Sequence, residues 1–424
     1  MVHFVIEAVE GISTRHFNVN QRGTGSAQYP PRMLLSLLVY CYANGIFSSR
    51  RIEAATYRDV AVRYLTADTH PDHSTICTFR QANATSIHES FLHVLKLARE
   101  MKILRVGTIS VDGTQIPANA SKYKNVTYDR AAELDHQLEL DIAEMMEGAE
   151  AADAADDTEG RQLPEEFARR EKLRAKMKPA RERLEQQARE RAERERSAYE
   201  EKAARREKRK GSRKGPKIKP PKDKPGGEEQ VNLTDSDSRL MRKNKRSEYK
   251  QAYNAQAAVD AEGGQLILSS HVTNCASDAN ELLRSVENVS EALDKPDAVL
   301  ADSGYVNGNA LKKLEEESIE AYVAASRDES HPQRSYEFRP RRTSSRKVVT
   351  DPRLKKMRKK LMTDAGRRKY AKRKQTVEPV FGIIKHVLGF RQFLLRGLSK
   401  VSTEWELVCL AYNVKRLHRL NAGL

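Results

Sequence analysis

The stretch Val106-Gly-Thr-Ile-Ser-Val-Asp-Gly-Thr-Gln-Ile116 alternates side chains, with Ile109 and Val111 on one side and Ser110, Asp112 and Thr114 on the other. A period of two is the pattern of a half-buried strand, so a carboxylate is expected to project from the middle of one. Downstream, Tyr249 to Val259 and Gln265 to Val272 are extended runs separated by Asp260-Ala-Glu-Gly-Gly264, which predicts a hairpin. Ser277 and Asp278 read as the start of a helix whose apolar side holds Leu282, Leu283, Val286, Val289 and Leu293. A strand from Ala298 to Ala301 ending at Asp302, a short helix near Leu311 to Leu314 and a strand from Ala321 to Ala325 follow. Three strands, helix, strand, helix, strand is the order of an α/β fold, a mixed sheet flanked by helices.

Upstream of that sheet the pattern is helical. Leu34, Leu35, Leu37, Leu38 and Tyr40 form one run and Phe91, Val94, Leu95 and Leu97 another. Asp72 or Ser74 is placed to cap a helix carrying Ile76 and Phe79. Short helices with Arg50, Arg51 and Arg80 expected on the surface suit a helix-turn-helix DNA reader, although an ordinary helical packing domain has the same signals.

The sheet is interrupted between Asp129 and about Gln230 by a segment that is acidic from Glu133 to Asp157 and rich in Arg, Lys and Glu from Arg169 to Lys210. So few large apolar residues cannot build much core, which predicts long solvated helices in a hairpin. Gly211 to Gly227, with four prolines among lysines, reads as a disordered tail. The expected domains are therefore 1–102, helical and DNA-binding; 103–128 with 231–424, catalytic; and 129–230, a charged helical insertion.

The 424 residues carry 76 Lys and Arg against 59 Asp and Glu, a net charge of +17, which draws polyanions and makes nucleic acid the first partner to consider. Four scattered cysteines, Cys41, Cys77, Cys275 and Cys409, make no zinc-type cluster and fit a reducing cytoplasm. The longest apolar stretch, around Met33 to Val39, is too short to cross a bilayer, so neither export nor membrane insertion is expected.

Phosphodiester cleavage needs no nucleophilic side chain if two divalent ions ~3.5–4 Å apart activate water and stabilise the leaving oxygen. It needs carboxylates to hold them, and three from separate elements suffice. Asp112, Asp302 and Glu378 meet that requirement as a set; singly, each would serve equally as a turn cap or an arginine partner. On a helix predicted from Thr376 to Leu388, Val377, Phe381 and Ile384 form the buried stripe, while Lys374, Glu378, Gly382 and Lys385 share another face. The basic run Arg339 to Lys374, including Tyr370 and Arg373, leads into that helix and extends a cationic approach for phosphates.

Five ordered motifs carry a resemblance: Val111-Asp-Gly-Thr-Gln-Ile with Ala118-Asn-Ala-Ser-Lys, Leu233-Thr-Asp-Ser-Asp-Ser-Arg-Leu-Met, Tyr253-Asn-Ala-Gln-Ala-Ala-Val-Asp, Leu300-Ala-Asp-Ser-Gly-Tyr and Val377-Glu-Pro-Val-Phe-Gly-Ile-Ile-Lys. With His70-Pro-Asp-His-Ser-Thr-Ile in the N-terminal region, they resemble the DDE transposases of bacterial insertion sequences, in the IS-four superfamily and nearest its IS-eleven-eighty-two group. The resemblance implies a ribonuclease H-like catalytic fold and a triad of Asp112, Asp302 and Glu378 binding two Mg²⁺ or Mn²⁺ ions. It also implies a tyrosine, a basic residue and a lysine around the glutamate, falling on Tyr370, Arg373 and Lys385. Four residues separate Arg373 from Glu378 where the superfamily usually has three, which leaves Lys374 as the alternative basic residue. Similar proteins often carry an upstream segment, so a shortened copy is an expectation too.

The implied activity is cleavage at the ends of an insertion sequence, followed by transfer of the exposed 3′ hydroxyl into target DNA. Double-stranded DNA is the expected partner, held by a homodimer in the cytoplasm at the nucleoid. A metal-dependent nuclease of similar fold and a transposon-derived protein that only binds DNA are the alternatives. An RNA-binding scaffold is disfavoured by an aromatic content of 6% and the lack of an aromatic sheet motif.

Overall fold

The computed structural model describes residues 1–19, 27–154, 163–207, 219–242, 246–324 and 351–423. The chain divides into two compact units, Met1–Asn119 with Met241–Ser247 and Ala252–Leu424, and Ala120–Leu240 with Glu248–Gln251.

The first unit opens with six helices, α1 (Val2–Glu10), α2 (Pro31–Ala43), α3 (Ser49–Arg58), α4 (Val60–Leu65), α5 (His73–Ala82) and α6 (Ala84–Glu100). Asp72 caps α5 as expected, accepting from the backbone N–H groups of Ser74 and Thr75 at 2.8 and 2.9 Å. The strand β1 (Thr108–Pro117) follows, with Ile109, Ser110 and Val111 fully buried and Asp112 half-buried in its middle.

The second unit holds β2 (Asn125–Thr127), α7 (Tyr128–Ala154), α8 (Leu163–Glu207), β3 (Gln230–Asn232) and most of β4 (Arg239–Met241). The two long helices pack together, and acidic α7 meets basic α8 through Arg170–Asp141 at 3.4 Å and Arg174–Glu139 at 2.6 Å. Apolar residues are scarce, so the core is small: Val126, Ala131, Met177, Ala180, Leu184 and Val231. Of the segment expected to be a disordered tail, 211–218 lies outside the described residues.

The chain then continues with β5 (Lys250–Asp260), β6 (Ile267–Thr273), α9 (Glu281–Ala292), β7 (Ala298–Ala301), α10 (Gly308–Glu316), β8 (Glu320–Val323), α11 (Pro352–Met362), α12 (Asp364–Gly382) and α13 (Leu398–Asn421). In the sheet β5, β1, β7 and β8 lie side by side, and β6 pairs with β5. β1 runs antiparallel to β5 and parallel to β7, and β7 parallel to β8. The expected hairpin forms because Asp260 accepts from the N–H groups of Glu262 and Gly264 at 2.9 and 2.8 Å, while Gly263 takes φ +130°, open to glycine. The fold is thus α/β with a mixed sheet flanked by helices.

Two expected boundaries move. Ser277 and Asp278 do not begin a helix; Asn280 is the N-cap of α9, and Asp278 turns toward β5 instead. The helix expected from Thr376 starts at Asp364, because the Arg and Lys residues of the basic run are good helix formers, and Thr363 caps it by accepting from Gly366 N–H at 3.0 Å. Its C-terminal part, Ile383–Val387, is a π-helical turn. Residues 325–350, the start of the basic run among them, lie outside the described residues.

α13 ties the first unit together, packing against α2, α6 and β6. Asn413 donates to the Ile267 carbonyl at 2.7 Å and accepts from its N–H at 2.8 Å, and Trp405 Nε1 donates to the Gln256 carbonyl at 3.0 Å. Among the described residues no helix is long and apolar enough to cross a membrane.

Candidate active site

Asp112 and Asp302 approach each other because β1 and β7 are adjacent parallel strands: Ser110 pairs with Leu300, and each aspartate follows two residues later. Asp302 leaves the end of β7 and caps the short 3-10 turn Ser303–Tyr305, accepting from Gly304 N–H at 2.7 Å. Glu378 comes from α12, which crosses β1, β7 and β8. Val377, Val380 and Ile384 are fully buried and Phe381 nearly so, which confirms the apolar stripe and leaves Glu378 half exposed on another face.

Pro379, next to Glu378, cannot donate to the carbonyl of Gln375 one turn back. Gln265, in the β5–β6 connection, supplies the missing donor through Nε2 at 2.8 Å. The helix therefore continues through the glutamate without an orphaned carbonyl.

Arg373 joins the acidic groups. Its Nη1 lies 3.2 Å from Asp112 Oδ2 and its Nη2 3.1 Å from Glu378 Oε1. The arginine side chain is 9% exposed, so the contact is shielded, whereas Lys374 is exposed. Burial pushes the Asp112 carboxyl up to about 7; Arg373 opposes the shift, and the charges of Asp302 and Asp278 add to it. Tyr370 lies in the same electrostatic neighbourhood, its hydroxyl raised by burial against Arg373 and further by Asp302. Lys385, in the π-helical turn, donates to Thr114 Oγ1 and, at 3.1 Å, to the Gln115 carbonyl, so it sits over the end of β1. The structure brings Asp112, Asp302, Glu378, Tyr370, Arg373 and Lys385 to one region. Among the described residues no three His, Cys, Asp or Glu side chains are gathered closely enough to hold an ion by themselves.

A family model described as "Transposase DDE domain" matches residues 225–414, and one described as "Transposase domain (DUF772)" matches residues 4–82. Residues 225–414 thus carry a DDE transposase domain, and 4–82 a second transposase-type domain. No curated protein and no solved structure matches the chain. The DDE match includes Asp302, Arg373, Glu378 and Lys385, and Asp112 lies before its first residue.

Arg80, expected on the surface, is buried instead. Arg80 is 3% exposed, donating to Tyr42 Oη at 2.6 Å and to the Phe47 carbonyl at 3.1 Å, with Glu404 at 3.6 Å. It neutralises a buried carboxylate, and Glu404 in turn accepts from the N–H groups of Leu394 and Leu395 at 2.9 Å each. Arg50 and Arg51, on the first turn of α3, are exposed.

A polar group beside Asp112 escaped sequence reasoning. Asp278 accepts at one oxygen from Asn254 and Gln256, both at 2.7 Å, and Tyr305 donates to Gln256 Oε1. Burial raises the Asp278 carboxyl, and holds the Tyr305 hydroxyl well above its ordinary range, so Tyr305 stays a donor. The available signal was two amides, Asn254 and Gln256, on one face of a strand whose stretch Ala252 to Val259 is otherwise made of Ala, Val and Tyr.

Proposed function

We propose that this transposase cuts DNA at the ends of an insertion sequence and joins the freed 3′ hydroxyl to target DNA, using Asp112, Asp302 and Glu378 to hold two Mg²⁺ or Mn²⁺ ions. One observation carries the reading: Arg373 places a cation between carboxylates from β1 and α12, beside a third carboxylate whose charge already disfavours ionisation of Asp112. The donor atoms are all carboxylate oxygens, the kind magnesium and manganese prefer. A divalent cation bound among them would offset the repulsion between Asp112 and Asp302 that helps to raise the Asp112 carboxyl. The strand order, with β1 between antiparallel β5 and parallel β7, supports a ribonuclease H-like core.

When bound, paired divalent ions supply Lewis-acid stabilisation of the attacking and leaving oxygens. In the first step water attacks phosphorus, the phosphodiester breaks and the 3′ oxygen leaves as a hydroxyl. In the second, that hydroxyl attacks a target phosphodiester, so one ester bond forms as another breaks and no external energy source is needed. Lys385, anchored on Thr114 and Gln115, would hold a phosphate near the cut, and Lys374 would extend the cationic approach. Arg373, rather than Lys374, fills the basic position beside the glutamate, and Tyr370 would contact a nucleotide at the site. Arg50 and Arg51 would contact the backbone of double-stranded DNA from the helical region. Both ends of the element have to be held together, which requires a dimer on DNA in the bacterial cytoplasm.

A short duplex carrying a pre-cleaved terminal sequence, incubated with plasmid and Mg²⁺, tests this directly. Covalent insertion of the labelled 3′ end supports transposition; nicking of the plasmid without joining would make the protein a nuclease.

A further inference from the structure

The mechanism above leaves one charged group of the centre unused. Asp278, in the loop before α9, is half-buried close to Asp302, and two side-chain amides from β5 are committed to it. Those amides approach across Gly113, the neighbour of Asp112: a Cβ there would lie 2.3 Å from Gln256 Nε2 and 2.8 Å from Asp278 Oδ1. Gln256 faces Gly113 across the β1–β5 ladder, so the glycine is what admits the cluster. On the far side, a Cβ on Gly304 would lie 2.9 Å from Asp302 Oδ1 and 3.5 Å from Asp278 Oδ2. Gln256 also accepts from Tyr305, at the end of the turn that Asp302 caps. A continuous polar relay thus runs from the Asp302 turn through Tyr305 and Gln256 to Asp278, passing over the residue after Asp112. Trp405 backs it by donating to the Gln256 carbonyl.

We infer that Asp278 is a positioning residue of the metal centre: by clasping Asn254 and Gln256 it fixes the turn bearing Asp302 against β1, and so sets how tightly the centre takes a divalent cation. The inference rests on the metal-centre reading proposed above. Groups that orient metal ligands affect affinity without touching the ion, and their loss typically weakens it ~10–100-fold.

The test is Mn²⁺ binding by the full chain, followed through the electron paramagnetic resonance signal of free Mn²⁺, for wild type, Asp302→Asn, Asp278→Ala, Asp278→Asn and Tyr305→Phe. Circular dichroism establishes that each variant is folded. Asp278→Ala is expected to weaken Mn²⁺ binding ~10–100-fold. Asp278→Asn, which keeps a carbonyl oxygen for both amides, is expected to stay near wild type, and Tyr305→Phe to fall between the two. Wild-type affinity in Asp278→Ala, with binding lost in Asp302→Asn, would overturn the role of Asp278 and leave the metal centre standing. Equal loss in both Asp278 variants would also overturn it, making charge rather than hydrogen bonding the cause. If Asp278→Ala does not fold, unchanged affinity in Tyr305→Phe overturns the relay. No Mn²⁺ binding by the wild type, or none sensitive to Asp302→Asn, would remove the metal centre itself and this inference with it.

Discussion

Arg373 of α12 reaches Asp112 of β1 at 3.2 Å while its other terminal nitrogen holds Glu378 at 3.1 Å. The arginine and the glutamate are five positions apart, out of register for stacking on one helix face, whereas Lys374 and Glu378 have the favoured spacing of four. The structure chooses the arginine because Val377 and Ile384 turn its side of the helix inward, and its long stem spans the gap to β1.

Removing that guanidinium leaves Asp112 without its cation. Arg373→Gln should lower stability by about 3 kcal/mol, the low end for breaking a buried pair because Glu378 is half exposed. Arg373→Lys should recover only part, since a single ammonium cannot reproduce the two-pronged contact. Urea unfolding checks both, and adding Mg²⁺ should narrow the deficit; an unchanged midpoint in Arg373→Gln would show that the bridge has no energetic weight.

The protonation of Asp112 predicts a pH dependence in the metal-free protein. Its folded pKa of about 7 exceeds the ordinary 3.8, so between those values the folded state keeps a proton that the unfolded chain releases. Stability should therefore fall as pH rises from 3.8 to about 7 and level off above. Unfolding measured across that window should show the decline in wild type and a flatter profile in Asp112→Asn. Because cation and proton compete for the same oxygens, Mg²⁺ affinity should rise through the same range.

Arg80 separates folding from DNA binding. Arg80→Ala or Glu404→Ala, breaking a pair that is almost wholly buried, should cost about 3–5 kcal/mol in denaturant unfolding. DNA affinity of the folded fraction should not change. Arg50→Ala and Arg51→Ala should do the reverse: stability is kept, while binding weakens and the slope of log affinity against log salt drops by ~0.9 for each phosphate that is no longer neutralised. A salt slope unaltered by both substitutions would exclude this face of α3 from the interface.

The sheet was readable because its signals are local. Alternation around Asp112, the Asp260–Gly264 turn and the apolar run into Asp302 each lie within a few residues, and β1, β5, β6 and β7 form where they predict. Arg80 defeats a local reading because its partner, Glu404, sits far along the chain inside the apolar helix α13, and nothing near Arg80 announces a buried anion. Asp278 was hidden by ambiguity: Ser-Asp before an apolar run is a good helix start, and only pairing of β5 with β1 shows that Asn254 and Gln256 face it. The long basic run concealed the beginning of α12 for a related reason, since charge draws attention to phosphates while helix propensity is carried by the same lysines and arginines.

The most direct measurement is cleavage of a labelled duplex carrying the element's own terminal sequence, with Mg²⁺, Mn²⁺ or EDTA, by wild type beside Asp302→Asn. Cutting at the element's end is expected with either metal and none in EDTA, with a loss of more than about 100-fold in the variant, exceeding what outer-shell substitutions cost. Equal, metal-independent cutting by both proteins would contradict that expectation.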